Sequence, residues 1–67
     1  MTPGEWLAGH DKWGDRTIVI HARGGPKQFV ACPKSYTADT CTNYLPGYGE
    51  TVEEAIADAV RRAVDFR

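Results

Sequence analysis

No stretch of this sequence approaches the roughly 20 consecutive apolar residues that a membrane-spanning helix requires. Its first residues, MTPGEWLAGHDKW, lack both a basic start and a continuous apolar run, and are therefore not read as a secretory leader. An excess of one charge is missing too: eight Lys and Arg against nine Asp and Glu give a formal net charge of −1. A chain so balanced has no global field to attract phosphate backbones regardless of sequence. Its 67 residues leave no room for a second domain. They lie near the size at which a core without metal, disulfide or partner becomes marginal. The expected location is cytoplasmic, where a pair of cysteines is more often reduced than bridged.

Signatures of catalysis and metal binding are also scarce. His10, His21, Cys32 and Cys41 are four residues of zinc-ligand type, but no CxxC or HxxxH pair sets their geometry. No nucleophile elbow, phosphate-cradling loop or dinucleotide fingerprint occurs. The expectation is a protein with no metal, no cofactor and no catalytic residue.

What the sequence does contain is the composition of a folded domain, 42% hydrophobic and 25% charged. Its heavy use of Ala, Gly, Asp, Arg and Val is that of a GC-rich bacterial or phage genome. Thr2-Pro3-Gly4-Glu5 offers a capping residue, a proline suited to the first helical position and a glutamate three residues after the threonine. A short helix over about residues 3–8 is expected, stopped by Gly9 and needing Trp6 and Leu7 docked elsewhere. Thr17 to Arg23 is β-branched and alternating, with Ile18, Ile20 and Ala22 on one face and Thr17, Val19, His21 and Arg23 on the other. The Gly24-Gly25-Pro26-Lys27 turn leads to a second strand, Gln28 to Cys32, which Pro33 is expected to end. Thr40 to Leu45 reads as a third strand. From Thr51, the residues Val52, Ala55, Ile56, Ala59, Val60, Ala63 and Val64 recur at steps of three and four. Thr51 caps this long helix and Glu54 completes its capping box, which also accounts for Glu50 and Glu53. Gly24-Gly25 and Gly47-Gly49 are read as turn glycines. These elements predict a single α+β domain over residues 1–67: a short N-terminal helix, a three-stranded antiparallel sheet, and a long C-terminal helix on one face.

The candidate functional residues follow from what the elements leave over. Trp6, Trp13, Tyr36, Tyr44 and Tyr48 are many large rings for one sheet and one covering helix. Exposed rings anchor interfaces, which makes Trp6, Trp13, Tyr44 and Tyr48 candidate partner-binding residues; Trp6 and Trp13 could equally close the open end of the core. Tyr48, between two glycines, has no evident structural duty. Arg16, Arg23, Lys27 and Lys34 are the candidates for nucleic-acid contact in a domain of double-stranded-RNA-binding-like shape. His21, beside Arg23 on one strand face, is the candidate for a less favoured RNase chemistry. Cys32 and Cys41 would approach for a disulfide if the second and third strands paired across their connection; otherwise they are small apolar fillers.

The order Ile18–Ile20, a glycine turn, Phe29-Val-Ala-Cys-Pro33, Leu45-Pro46-Gly47 and Glu50-Thr51-Val52-Glu53-Glu54-Ala55 resembles the antitoxin domain of the HicB family. The resemblance covers about residues 17–66, without that family's DNA-binding segment. It implies a sheet-plus-helix module that binds another protein, in that family a small RNA-cleaving toxin. Such toxins carry a Gly-Ser-His signature, whereas His21 here follows Ile20. The leading expectation is a non-enzymatic protein-binding module, antitoxin-like or a phage or bacterial modulator of a partner. A homodimer through an exposed strand edge is compatible with it.

Overall fold

The computed structural model of the chain describes residues 1–65. The fold is α+β: helix α1 (Pro3–Ala8), strands β1 (His10–Asp11), β2 (Gly14–Ala22), β3 (Phe29–Tyr36), β4 (Cys41–Asn43) and β5 (Gly47–Gly49), and helix α2 (Val52–Asp65). All strand pairs are antiparallel, in the order β1-β2-β3-β4, with β5 also on β3.

Both helices are capped by the threonine their sequences offer, while the glutamate three residues on takes a partner other than the cap's own N–H. Thr2 Oγ1 accepts from Glu5 N at 3.2 Å and donates to Glu5 Oε1 at 3.0 Å, with Pro3 at the first helical position. Thr51 Oγ1 accepts from Glu54 N at 3.1 Å, and Glu54 Oε2 in return accepts from Glu50 N at 3.1 Å. Of the two α1 side chains expected to dock, only Trp6 does; Leu7 faces solvent.

The core has two parts. Trp6, Val60 and Ala63 form one, with Ile18, Tyr44, Ile56 and Val64 against them. Ala31, Ala55 and Ala59 form the other, with Ile18, Ile20 and Phe29 around them. Both helices therefore lie on the sheet face that carries Ile18, Ile20, Ala31 and Pro33.

The expected third strand over Thr40 to Leu45 is present as the shorter β4, and β5 is a further strand where a turn was expected. β4 pairs with Lys34–Tyr36 and β5 with Phe29–Ala31, so they lie end to end along one edge of β3. Nor does Pro33 end the second strand, which continues to Tyr36. The carbonyl of Pro33 accepts from Tyr44 N at 3.0 Å, which places its nitrogen on the same side. That side is the gap between β5 and β4, where no ladder donor is required of it. β1 was not foreseen, since two residues are too few to show a period.

Gly47 and Gly49 are not turn glycines. They face α2 within β5, and a Cβ at Gly47 would fall inside the van der Waals shell of Ala59 N and Ala55 O. A Cβ at Gly49 would lie 2.5 Å from Ala55 N. Helix and strand thus meet backbone to backbone, with Ala55 and Ala59 fully buried at the contact. Gly47→Ala is expected to cost about 3 kcal/mol or more, as overpacking against a backbone that has no side chain to give way. Gly24→Ala, where a Cβ meets nothing within 4 Å, should leave the urea midpoint near that of the parent. Equal midpoints for the two variants would contradict the close contact.

Candidate functional site

With the helices on one face, alternation puts the intervening residues of the sheet on the other. Register aligns them in rows: Thr17 with Lys34 and Asn43, Val19 with Cys32, and His21 with Val30 and Tyr48. Neither helix covers this face. Val19, Val30, Cys32 and Tyr48 are nevertheless half-buried, each shielded only by its cross-strand neighbours. Around this apolar centre stand His21, Arg23 and Lys34, and the Arg23 guanidinium lies over the Tyr48 ring at 5.5 Å. The carboxylate at the corner, Asp15, is engaged by His10 Nδ1 at 2.8 Å. The face is thus apolar at its centre and cationic at its margin.

Tyr48 reaches this face because its flanking glycines face the helix. Its backbone is held from the other side: Tyr48 N donates to Asp58 Oδ2 at 3.0 Å, and Asp58 is also bound by Arg61 and, at 3.1 Å, by Arg62 Nε. Partial burial pushes the Asp58 carboxyl upward, but the Tyr48 N–H and the two guanidinium groups outweigh it and hold its pKa at about 2. One aspartate therefore joins α2 to β5 and occupies a donor on that strand. Asp58 carried no signal in the sequence, because its partner lies ten residues away in a segment read as a turn.

The other sequence candidates are placed as follows. Trp6 is 1% exposed, packed in the core, and is not available as an interface anchor. Tyr44 is half-buried and meets the Trp6 ring edge-on, with centroids 5.6 Å apart. Trp13 is exposed at the β1–β2 turn, with Lys12 Nζ 4.9 Å from its ring. Of the four rings proposed for partner contact, Trp6 is buried, Tyr44 and Tyr48 are half-buried, and Trp13 is exposed. Of the four cations, Arg16 turns inward: it stacks on Trp6 at 5.0 Å and donates to the Trp6 carbonyl at 3.2 Å. Arg23 and Lys34 border the open face, and Lys27 lies in the exposed hairpin loop. His21 is exposed beside Val30.

Cys32 and Cys41 are free thiols. Cys41 pairs with Tyr36, four residues along β3 from Cys32, or about 13 Å at the strand rise. That separation is too great for a bridge. The expected approach assumed that the second strand ends at Cys32, whereas it runs on to Tyr36 and the hairpin turns there.

A polar corner went unread in the sequence. The buried Ser35 hydroxyl lies 2.6 Å from Asp11 Oδ1 and 3.1 Å from the Gly14 carbonyl, and Asp11 Oδ1 also accepts from Trp13 N at 2.7 Å. Asp11 Oδ2 and Arg16 Nε are out of solvent contact and make no hydrogen bond among the described residues. A cavity of about 260 Å³ opens beside them, lined in part by Trp6 and Tyr44. Among the described residues no three His, Cys, Asp or Glu side chains converge as a metal site would require.

Asp58 makes the stability pH-dependent in a stated direction. Its folded pKa lies below the ordinary 3.8, so its contribution is present above about pH 4 and lost as pH falls towards 2. The loss amounts to about 2 kcal/mol. Asp58→Asn should lower the stability at neutral pH by a similar amount and flatten the curve between pH 4 and 2. Parallel pH curves for the two proteins would contradict this role.

Comparison with protein-family models, with curated proteins and with solved structures found no match to the chain.

Proposed function

We propose that this chain is a non-enzymatic protein-binding module that presents the open face of its sheet to a partner. The observation that supports this most is the half-buried group Val19, Val30, Cys32 and Tyr48 on a face that neither helix covers. Contiguous apolar surface with a large aromatic and a polar margin is the anatomy of an interface centre. The cationic margin of Arg23 and Lys34 favours a partner surface that is apolar at its centre and acidic around it. On the HicB-like reading of residues 17–66, the last of which lies outside the described residues, that partner is a small RNA-cleaving toxin. A phage or bacterial modulator of a host protein would use the same face.

A second reading is nucleic-acid binding, favoured by Arg23 and Lys34 on the same face as Tyr48, with Lys27 nearby. Two facts weigh against it. The net charge is −1, and the Arg23 guanidinium already lies over the Tyr48 ring on which a base would stack.

Affinity capture from the native host, read by mass spectrometry, should return a protein partner. Tyr48→Ala and Trp13→Ala should then each weaken its binding about tenfold or more, with the circular dichroism spectrum unchanged. Undiminished binding by both folded variants would overturn the assignment of these anchors. Binding to RNA or DNA that falls steeply with added salt would favour the second reading instead.

A further inference from the structure

The apolar residues of the open face form a narrow band. Val19 and Cys32 stand in one row and Val30 and Tyr48 in the next, so the group steps diagonally from β2 across β3 to β5. Two strand spacings across and two residues along make the band about 12 Å long. The two cations of the face lie on opposite sides of it. Arg23 follows β2 past the row of His21, and Lys34 stands in the row of Thr17. Neither is paired with a carboxylate among the described residues. Stacking on Tyr48 takes one face of the Arg23 guanidinium and leaves its edge donors for an acid.

These features select what can cover the band. The N–H and C=O groups of a sheet point within its own plane, so a segment laid flat on the face finds no backbone partner there. It must satisfy its own backbone, as a helix does along its interior and a single extended strand does not. A second sheet would also be self-satisfied, but it would bury the flanking rows and take Arg23 and Lys34 out of water. One helix, about 10 Å across, covers the band and leaves both flanks open. Its apolar positions at i, i+4 and i+7 span about 10 Å, close to the length of the band. A second copy of the chain has no such helix to offer. The apolar stripe of α2 is buried in its own core, its outward side carries Glu53, Glu54, Arg61 and Arg62, and α1 has only six residues.

We propose that the open face receives an amphipathic helix of a partner protein, with acidic residues on both sides of its apolar stripe, lying diagonally across β2, β3 and β5. The stripe rests on Val19, Cys32, Val30 and Tyr48. An acid on one flank pairs with the guanidinium edge of Arg23, and an acid on the other flank pairs with Lys34. This assignment rests on the open face being a protein-binding surface, as proposed above, and supplies the chemistry of the partner.

The probe is an acetylated and amidated peptide of about 18 residues, long enough to hold a helix in water. It is built on alanine, with a leucine stripe at steps of three and four and glutamates on both flanks. Added to the isotope-labelled full chain, it should shift the amide resonances of Val19, Val30, Cys32 and Tyr48 and leave those of Glu53 and Arg61 in place. A peptide with lysines for the glutamates, and one with a central proline, should each bind about tenfold or more weakly. Arg23→Glu combined with Lys34→Glu, with circular dichroism unchanged, should reverse the preference and take the lysine peptide over the glutamate one. Equal binding of the glutamate and lysine peptides, equal binding of the proline peptide, or no binding at millimolar concentration would overturn the assignment. So would shifts at the same four residues that follow the chain's own concentration, which would give the face to a second copy, or a stronger response to a single-stranded oligonucleotide. A captured partner that depends on Tyr48, beside peptides the face does not distinguish, would leave the protein-binding reading standing and remove only the acidic helix. A captured partner indifferent to Tyr48→Ala would remove the face itself as the binding surface.

Discussion

The backbone contact of α2 with β5 is the constraint on which the rest of this small domain depends. Gly47 and Gly49 present no side chains to the helix, and Ala55 and Ala59 present the smallest ones. The helix can then settle over the β5 and β3 side of the sheet instead of over its middle. From that position Asp58 reaches Tyr48 N. The same placement leaves Ile18 and Ile20 only partly covered and leaves space at the far end of the core that α1 must fill.

Trp6 fills much of that space, and the surroundings are built to hold it. It packs on Val60 and Ala63 from α2 and on Ile18 from β2, meets Tyr44 edge-on, and has Arg16 stacked across its ring. A six-residue helix has little stability of its own, so its Thr2 cap and its one large apolar anchor act together. The consequence for function is a division of the aromatics. Trp6 and the half-buried Tyr44 pack with the helices, while Tyr48 lies on the uncovered face and Trp13 at an exposed turn. The two layers leave one sheet surface that neither helix covers.

Features whose cause lies within a few residues were legible in the sequence. The threonine caps at Thr2 and Thr51, the apolar stripe of α2 and the alternation from Thr17 to Ala22 each state their own geometry. The α+β architecture followed from them. What could not be read depended on distant neighbours. Gly-Tyr-Gly reads as a turn until a helix with Ala55 and Ala59 is laid on it, at which point the glycines become the requirement of a strand. Pro33 reads as a strand end until the edge beside it is known to be interrupted. The separation of Cys32 from Cys41 turned on where β4 meets β3, and the Asp11–Ser35 contact spans 24 positions with no local pattern. For the candidate site, Tyr48 stood out as a residue without a structural duty. Val19, Val30 and Cys32 did not, because membership of the open face is a property of register.

The interruption at Pro33 also divides the molecule for motion. Upstream of it, β3 is bound to β5, and β5 is tied to α2 by packing and by Asp58. Downstream, β4 is three exposed or half-exposed residues joined to the end of β3, with a polar connection before it and no helix over it. Few buried contacts hold that corner, and such regions open locally at far less free energy than global unfolding requires. Pro33 has no N–H to donate there and joins the segment between β4 and β5 through its carbonyl alone, which accepts from Tyr44 N. Cys41, Thr42 and Asn43 can therefore exchange and refold as a unit of their own while the Tyr48 strand stays closed.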